Sequence, residues 1–336
     1  MNYMTRIKWR LRYTYEQGTD VFWTVAAKFN RPGTPPAIRQ LKAEGTTVVD
    51  EFWGEHTVNS EPFKTAMQSE RYLKWRSSIY PLFAEFMELY GEHDDEVILD
   101  YGCGPGNDLV GFAIYTKAKK IIGIDISVKA LNLARHRLSL HNVAPERVEL
   151  IHTADTISEI PLEDESVDYI NCGGVLHHTT DPATLLREFY RVLKHDAYVC
   201  VMVYNRDSVW LHLFDAYQKL VLENRFPGMN AYEAFHKTVD VEADGTGLCP
   251  IARCYHAPDF IKLCESAGFR TEYVGGYLSD VELGCMAKHY EAALEDQRLP
   301  LEHRQFLKAL EKVAQGLPLY EGKHAGIGGV YWLYKK

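Results

Sequence analysis

The chain has no run of 18 or more apolar residues, so no membrane-spanning helix is expected. Its first residues carry no apolar core of the signal-peptide kind, and no secretion signal is expected. Positive charge is scarce: 37 lysines and arginines against 46 aspartates and glutamates leave a net charge of −9 over 336 residues. That sign disfavours a nucleic-acid partner, whose phosphates call for a basic face. The one compact basic stretch, Arg6, Lys8, Arg10 and Arg12, reads as a solvated helix face. Cysteines number seven, an odd count, and they lie in core-like segments, where they act as small buried hydrophobes. Cys249 and Cys254 are close in sequence, but no second pair completes a zinc pattern, so no metal is expected. No internal repeat or low-complexity tract is present. With 46% apolar and 25% charged residues, the chain reads as an ordinary globular protein of the cytoplasm, with no membrane or nucleic-acid partner.

What is present is concentrated in Val97 to Asn107, VILDYGCGPGN. An apolar run leads into Asp100, glycines follow at 102, 104 and 106, and the helix-like segment DLVGFAIYTKA comes next. Strand, glycine turn and helix form the front of a nucleotide-binding βα unit. Glycine there lets the chain turn sharply and lets a ligand approach the backbone. The spacing D-x-G-x-G-x-G differs from the GxGxxG of dinucleotide sites, which disfavours a nicotinamide cofactor. A second strand, KIIGIDI, ends at Asp125, 25 positions after Asp100, where a carboxylate can accept from both hydroxyls of a ribose. SVKALNLARHRLSLHN then reads as a helix capped by Ser127, with Ala130, Leu131, Ala134 and Leu138 on one face. RVELIHTAD is a third strand and SVDYINCGGVLHH a fourth. The helix DPATLLREFYRVLK follows, with Asp181 as N-cap and Pro182 at its first position, and then the apolar strand AYVCVMVYN.

The phrases DYGCGPGN, IGIDIS, TAD and VLHHTTDPATLLREFYRVLK, in this order, resemble the core of the class I S-adenosylmethionine (SAM) methyltransferases. The resemblance covers about 97 to 205 and, more loosely, the last third. It implies a doubly wound α/β sandwich: a seven-stranded, mostly parallel sheet of the Rossmann-like methyltransferase kind. It also implies SAM as cofactor, its amino acid and ribose wrapped by the loop of Asp100, Gly102, Cys103, Gly104, Gly106 and Asn107. On the same resemblance, Asp125 and Ile126 meet the ribose, Ala154 and Asp155 the adenine, and Cys172 and Gly173 line the end of the fourth strand. Relatives of this kind often lay an N-terminal helix over the cofactor. SERYLKWRSSIYPLFAEFMELYG is the candidate, with Tyr72, Trp75, Arg76 and Tyr80 as its inward groups. Tyr72 and Arg76 are assigned to the cofactor, since a buried Arg76 would need a partner such as the cofactor carboxylate. Tyr80 is assigned to the substrate. His177 and His178 follow the fourth strand, where the class places substrate-facing groups. With Tyr204 they are the candidate catalytic residues, because a histidine titrates near neutral pH and a base serves amine or alcohol acceptors. Asn205 and His236 are candidate substrate contacts. A metal held by His56, His177, His236 and His256 finds no support in their spacing.

Three regions are expected. Residues 1–95 are an N-terminal extension and cofactor lid, and the extension is the candidate surface for a homodimer. In it TYEQGTDVFWTVAAKFN reads as a helix ended by RPGTPP, and EFWGEHTVNSEPFK as an irregular loop with aromatic anchors. Residues 96–205 are the SAM-binding core. Residues 206–336 supply FRTEYVGGY and GIGGVYWLYKK as sixth and seventh strands, plus insertions at about 206–255 and 281–315. Segments this long carry structure or function, and they leave the sheet where ligands bind, so they read as helical caps over a substrate. The expected activity is methyl transfer from SAM to O, N or C of a small-molecule acceptor, releasing S-adenosylhomocysteine (SAH). The rival readings are a SAM-binding scaffold or sensor without catalysis, and a protein or RNA methyltransferase.

Overall fold

A computed structural model describes residues 32–43, 45–57, 62–157, 159–239, 249–312 and 316–335. The helix expected over 14–30 lies outside them. The strands are β1 (Ile38–Gln40), β2 (Val97–Tyr101), β3 (Lys120–Asp125), β4 (Val148–His152), β5 (Val167–Gly173), β6 (Leu193–Asn205), β7 (Cys254–Tyr255), β8 (Arg270–Tyr277), β9 (Glu311–Lys312), β10 (Pro318–Tyr320), β11 (Lys323–His324) and β12 (Gly328–Tyr334). The main sheet runs β1-β4-β3-β2-β5-β6-β12-β8, with β7 continuing the pairing of β6. The pairs from β1 to β6 are parallel, and β12 is antiparallel to both β6 and β8. Seven of these strands are the ones read from the sequence. Among the described residues the short β1 and β7 raise the sheet to nine, because two- and three-residue pairings leave no alternation to read. A separate small sheet joins β9, β10 and β11.

The helices are α1 (Val48–Glu55), α2 (Ala66–Ile79), α3 (Phe83–Phe86), α4 (Asn107–Tyr115), α5 (Val128–Leu140), α6 (Pro182–Val192), α7 (Ala231–Phe235), α8 (Ala257–Ser266), α9 (Asp280–Glu295) and α10 (Leu301–Ala309). A π-helix spans Trp210–Leu222. Ser127 and Asp181 cap α5 and α6 by accepting from the N–H groups of Ala130 and Thr184. α2 ends at Ile79 because Pro81 forces Tyr80 out of the helical region (ψ 80°).

One expectation fails. The stretch taken as an irregular loop begins as a helix, α1. Thr47 and Asp50 close a reciprocal capping box that satisfies two N–H groups at its start. The signal was Thr47 followed three residues later by an acid.

Side chains alternate across the sheet and fill two layers. Ile98, Ile121, Leu150, Tyr169 and Cys200 face α4 and α5. Leu99, Ile122, Ile151, Ile170 and Val201 face Leu186 and Phe189 of α6 and Phe260 of α8. Each such side chain, fully buried, contributes roughly 1.5–3 kcal/mol. A third cluster forms the cap. Leu211, Phe214, Phe235, Leu299 and Phe306 draw together the π-helix, α7 and α10, with Phe52, Trp53 and Tyr204 packed against them. The two insertions thus share one core beyond the carboxyl end of β6.

Candidate active site

Strand order reverses between β2 and β5, the place where open α/β sheets bind ligands. At the end of β2 the glycines do different work. Gly102 sits at φ +72°, and a Cβ there would lie 2.1 Å from Cγ2 of Val175, so the fold itself forbids a side chain. Gly104 also has positive φ (+52°), but among the described residues nothing lies within 4 Å of where its Cβ would be. That opening leaves room for a ligand. The N–H of Gly104 donates to Oδ2 of Asp125 (2.7 Å), and that of Ser127 to Oδ1 (2.8 Å). Each carboxylate oxygen keeps a lone pair toward the cleft. Burial raises the Asp125 pKa, and these N–H donors oppose the rise. Gly106 is the N-cap of α4, and Cys103 is buried behind the loop.

The floor is polar and incompletely paired. Asn171 donates to Oδ1 of Asp100 (2.8 Å). Oδ2 of Asp100 and Oδ1 of Asn171 are buried without a partner among the described residues. Burial, with the nearby Asp108 charge, pushes Asp100 up to about 8. A donor from a ligand would satisfy both orphan oxygens. Arg76, assigned to the cofactor carboxylate, is paired here with Asp108 and lies over the Phe83 ring at 4.5 Å. Tyr72 packs with Phe63 and Trp75, and Tyr80 edge-on to Tyr277. Asn107 accepts from the buried Arg137, which also holds the Pro105 carbonyl.

Other assigned residues fall around this cleft. The Ile126 carbonyl is held by the His152 ring (3.1 Å) and the Ala154 carbonyl by the N–H of Ile157 (2.9 Å). The Asp155 carboxylate accepts from the Thr180 N–H and hydroxyl, while its own N–H donates to Asp50 Oδ1 (2.8 Å). The Cys172 side chain lies in the core, so only its backbone can face the cleft. Gly173 opens toward Met87 and Asp108.

β5 ends at Gly173, and His177 and His178 occupy the turn beyond it, not the strand. His177 is fully buried, 4.0 Å by ring centroids from both His178 and Tyr204. Its ring nitrogens have no partner among the described residues, and burial drives its pKa far down, so it is neutral. His178 donates from Nδ1 to the Ile251 carbonyl (2.6 Å), so in the neutral ring the lone pair is on Nε2. Asn205 spends its amide on the Asp207 and Gly326 backbone, tying β6 to the cap, and His236 is exposed at the end of α7. Among the described residues no three His, Cys, Asp or Glu side chains converge as metal ligands.

Two further residues stand at this cleft. α1 carries Asp50 onto the Asp155 N–H and sets the Trp53 ring 4.9 Å from His178. Ser127 and Lys129 bond the carbonyls of Gly54 and Glu55 at its far end. This short helix therefore lies across the carboxyl ends of β3, β4 and β5.

A parallel sheet with a glycine loop at its switch point and an acid ending the next strand defines a Rossmann-like nucleoside-binding fold. Residues 92–238 match the family model of a methyltransferase domain. Over that segment the chain is similar to SAM-dependent methyltransferase domains, and SAM is the cofactor this similarity supports. An uncharacterized methyltransferase of Schizosaccharomyces pombe is 36% identical over 107 residues, 31% of this chain and 38% of the relative. The ubiquinone biosynthesis O-methyltransferase of Hydrogenovibrio crunogenus is 26% identical over 167 residues, 49% of this chain and 66% of the relative. The chain thus spans about a third to two thirds of the length of these relatives. A chain of the Haloferax volcanii complex with the Trm112 methyltransferase activator shares the fold (TM-score 0.50, 11% identity, covering 87% of this chain and 100% of that one).

The cleft fits the cofactor on its own geometry. Gly104 leaves room for it, Asp125 offers lone pairs to a ribose diol, and Asp100 and Asn171 present unpaired acceptors where an ammonium group would be held.

Proposed function

We propose that the chain transfers a methyl group from SAM to a small-molecule acceptor at O, N or C, releasing SAH. The observation that carries this is the empty space over Gly104 beside the Asp125 carboxylate. When bound, the sulfonium cofactor supplies an already activated methyl group. What this chain's residues contribute is alignment, which can be worth several kcal/mol. Asp125 would hold the ribose and Asp155 would face the adenine. Asp100 and Asn171 would take the amino acid's ammonium, with Arg76 and Tyr72 on the covering helix. Trp53, His178 and Tyr204 would wall the acceptor side.

The ubiquinone-biosynthesis relative acts as an O-methyltransferase, which favours a hydroxyl acceptor. A hydroxyl needs its proton removed, and His178, held as the Nδ1–H tautomer, has the form of a general base at Nε2. His177, neutral and buried against both His178 and Tyr204, would position those rings. Tyr80, Asn205 and His236 remain the proposed outer substrate contacts. The test is calorimetry with SAH followed by a turnover screen across metabolite classes read by SAH release. SAH binding without turnover on any class would favour a SAM-binding scaffold or sensor, and absence of SAH binding would refute the reading.

A further inference from the structure

The cap carries an open cavity of about 380 Å³, and none of the residues lining it belongs to the cofactor cleft. That size lies within the range of small-molecule sites. One wall is aromatic: the His212 ring stacks on Phe306 (3.9 Å between centroids, 14° between planes). Nδ1 of His212 meets Nδ1 of His303 at 2.9 Å, so one ring donates and the other accepts. Burial lowers both pKa values, and the wall is uncharged. Arg206 lines the same cavity. Its guanidinium lies 4.3 Å from the Tyr232 ring centre and donates from Nε (3.1 Å) and one terminal nitrogen (2.8 Å) to the Tyr232 hydroxyl. No carboxylate accepts from it among the described residues, although a guanidinium has five N–H donors. The neighbouring Asp207 is taken up by His256, whose Nδ1 lies 2.8 Å from Oδ2. Glu302 is at the rim, 61% exposed and screened by water.

We propose that this cavity is a second ligand site, separate from the cofactor cleft, that takes a small planar aromatic acid. The ring lies against Phe306 and His212, and the carboxylate takes the unspent donors of Arg206. A carboxylate and a guanidinium form the paired, planar contact that Arg favours over Lys. A hydroxyl elsewhere on the ring would find the Asp207–His256 pair, which can both donate and accept. The inference goes beyond methyl transfer and does not depend on it.

The full chain is titrated by calorimetry with 4-hydroxybenzoate, with phenol and, separately, with SAH. The expected result is saturable binding of 4-hydroxybenzoate, at least tenfold weaker binding of phenol, and at least tenfold weaker binding of 4-hydroxybenzoate to R206Q. R206Q keeps the wild-type SAH affinity and stays folded, because the Arg206 side chain bonds Tyr232 of the cap and not the cofactor loop. R206K, with its charge but not its fork, recovers part of the affinity. No saturable binding of 4-hydroxybenzoate at millimolar concentration, or equal binding by wild type, R206Q and R206K, overturns the proposal. Loss of SAH binding alone would count against methyl transfer and leave this site standing.

Discussion

The two ends of the molecule are made from different materials. The cofactor cleft is built largely of backbone: a turn at positive φ, N–H groups of Gly104 and Ser127, and carboxylates those groups hold in place. The cap is built of side chains brought from distant segments, Trp53 of α1, Phe235 of α7, Phe306 of α10 and Arg206 after β6. Backbone sites depend on a few residues in a fixed local order. Side-chain sites depend on how separate pieces pack. The first kind suits a ligand that never changes, and the second can change residue by residue without disturbing the cofactor cleft.

The strongest way to break this contrast is Gly104→Val. The site should lose measurable SAH affinity in calorimetry while the chain still folds, since among the described residues nothing lies within 4 Å of the new Cβ. The positive φ there costs a side chain on the order of 1–2 kcal/mol, which a modest drop in melting temperature would report. Wild-type SAH affinity in G104V would remove the loop from the site. Gly102→Val is the control: its Cβ collides with Val175, so it should fail as a fold and not as a ligand site.

Next in size is His178→Ala. Turnover should fall by about 10²–10⁴, the usual contribution of a positioned base, with SAH affinity within about twofold. Parallel loss of SAH affinity would mean that His178 serves the packing under Trp53 and not the reaction. Asp125→Ala should act in the opposite sense. It removes charge-assisted ribose contacts, and SAH should bind roughly ten- to hundredfold more weakly, about 1.5–3 kcal/mol. Unchanged affinity in a folded D125A would take the ribose contact away from this carboxylate.

The same contrast explains what could be read from the chain alone. The D-x-G-x-G-x-G run, Asp125 at the end of β3 and the caps Ser127 and Asp181 are local signals, and the parallel sheet follows from them. The Asp50 bond to Asp155 spans 105 residues and the Trp53 contact with His178 spans a similar distance, so no local pattern announces either. A capping box at Thr47 and Asp50 did announce α1, but an aromatic-rich stretch with a glycine reads more readily as loop. In the cap, Arg206, His212 and Phe306 belong to three elements, and their meeting depends on the shared core of the two insertions.

The smallest expected effect sharpens the comparison from the cofactor side. Asp100 is a buried carboxyl with one unpaired oxygen, and burial raises it to about 8 from an ordinary value of 3.8. A group whose folded pKa is raised favours folding most when it is protonated in both states. That contribution is complete below about pH 4, declines as the unfolded chain ionises, and is exhausted as pH passes about 8. Asp100→Asn keeps the shape and the contact to Asn171 without the ionisation. Its melting temperature relative to wild type should therefore climb between about pH 4 and pH 8 and level off above. SAH should flatten the difference if its ammonium group settles on Asp100, because a bound cation stabilises the ionised form. A difference independent of pH would show that Asp100 ionises as easily in the fold as outside it. The polar floor would then be an ordinary hydrated surface and not the unpaired acceptor on which the cofactor fit rests.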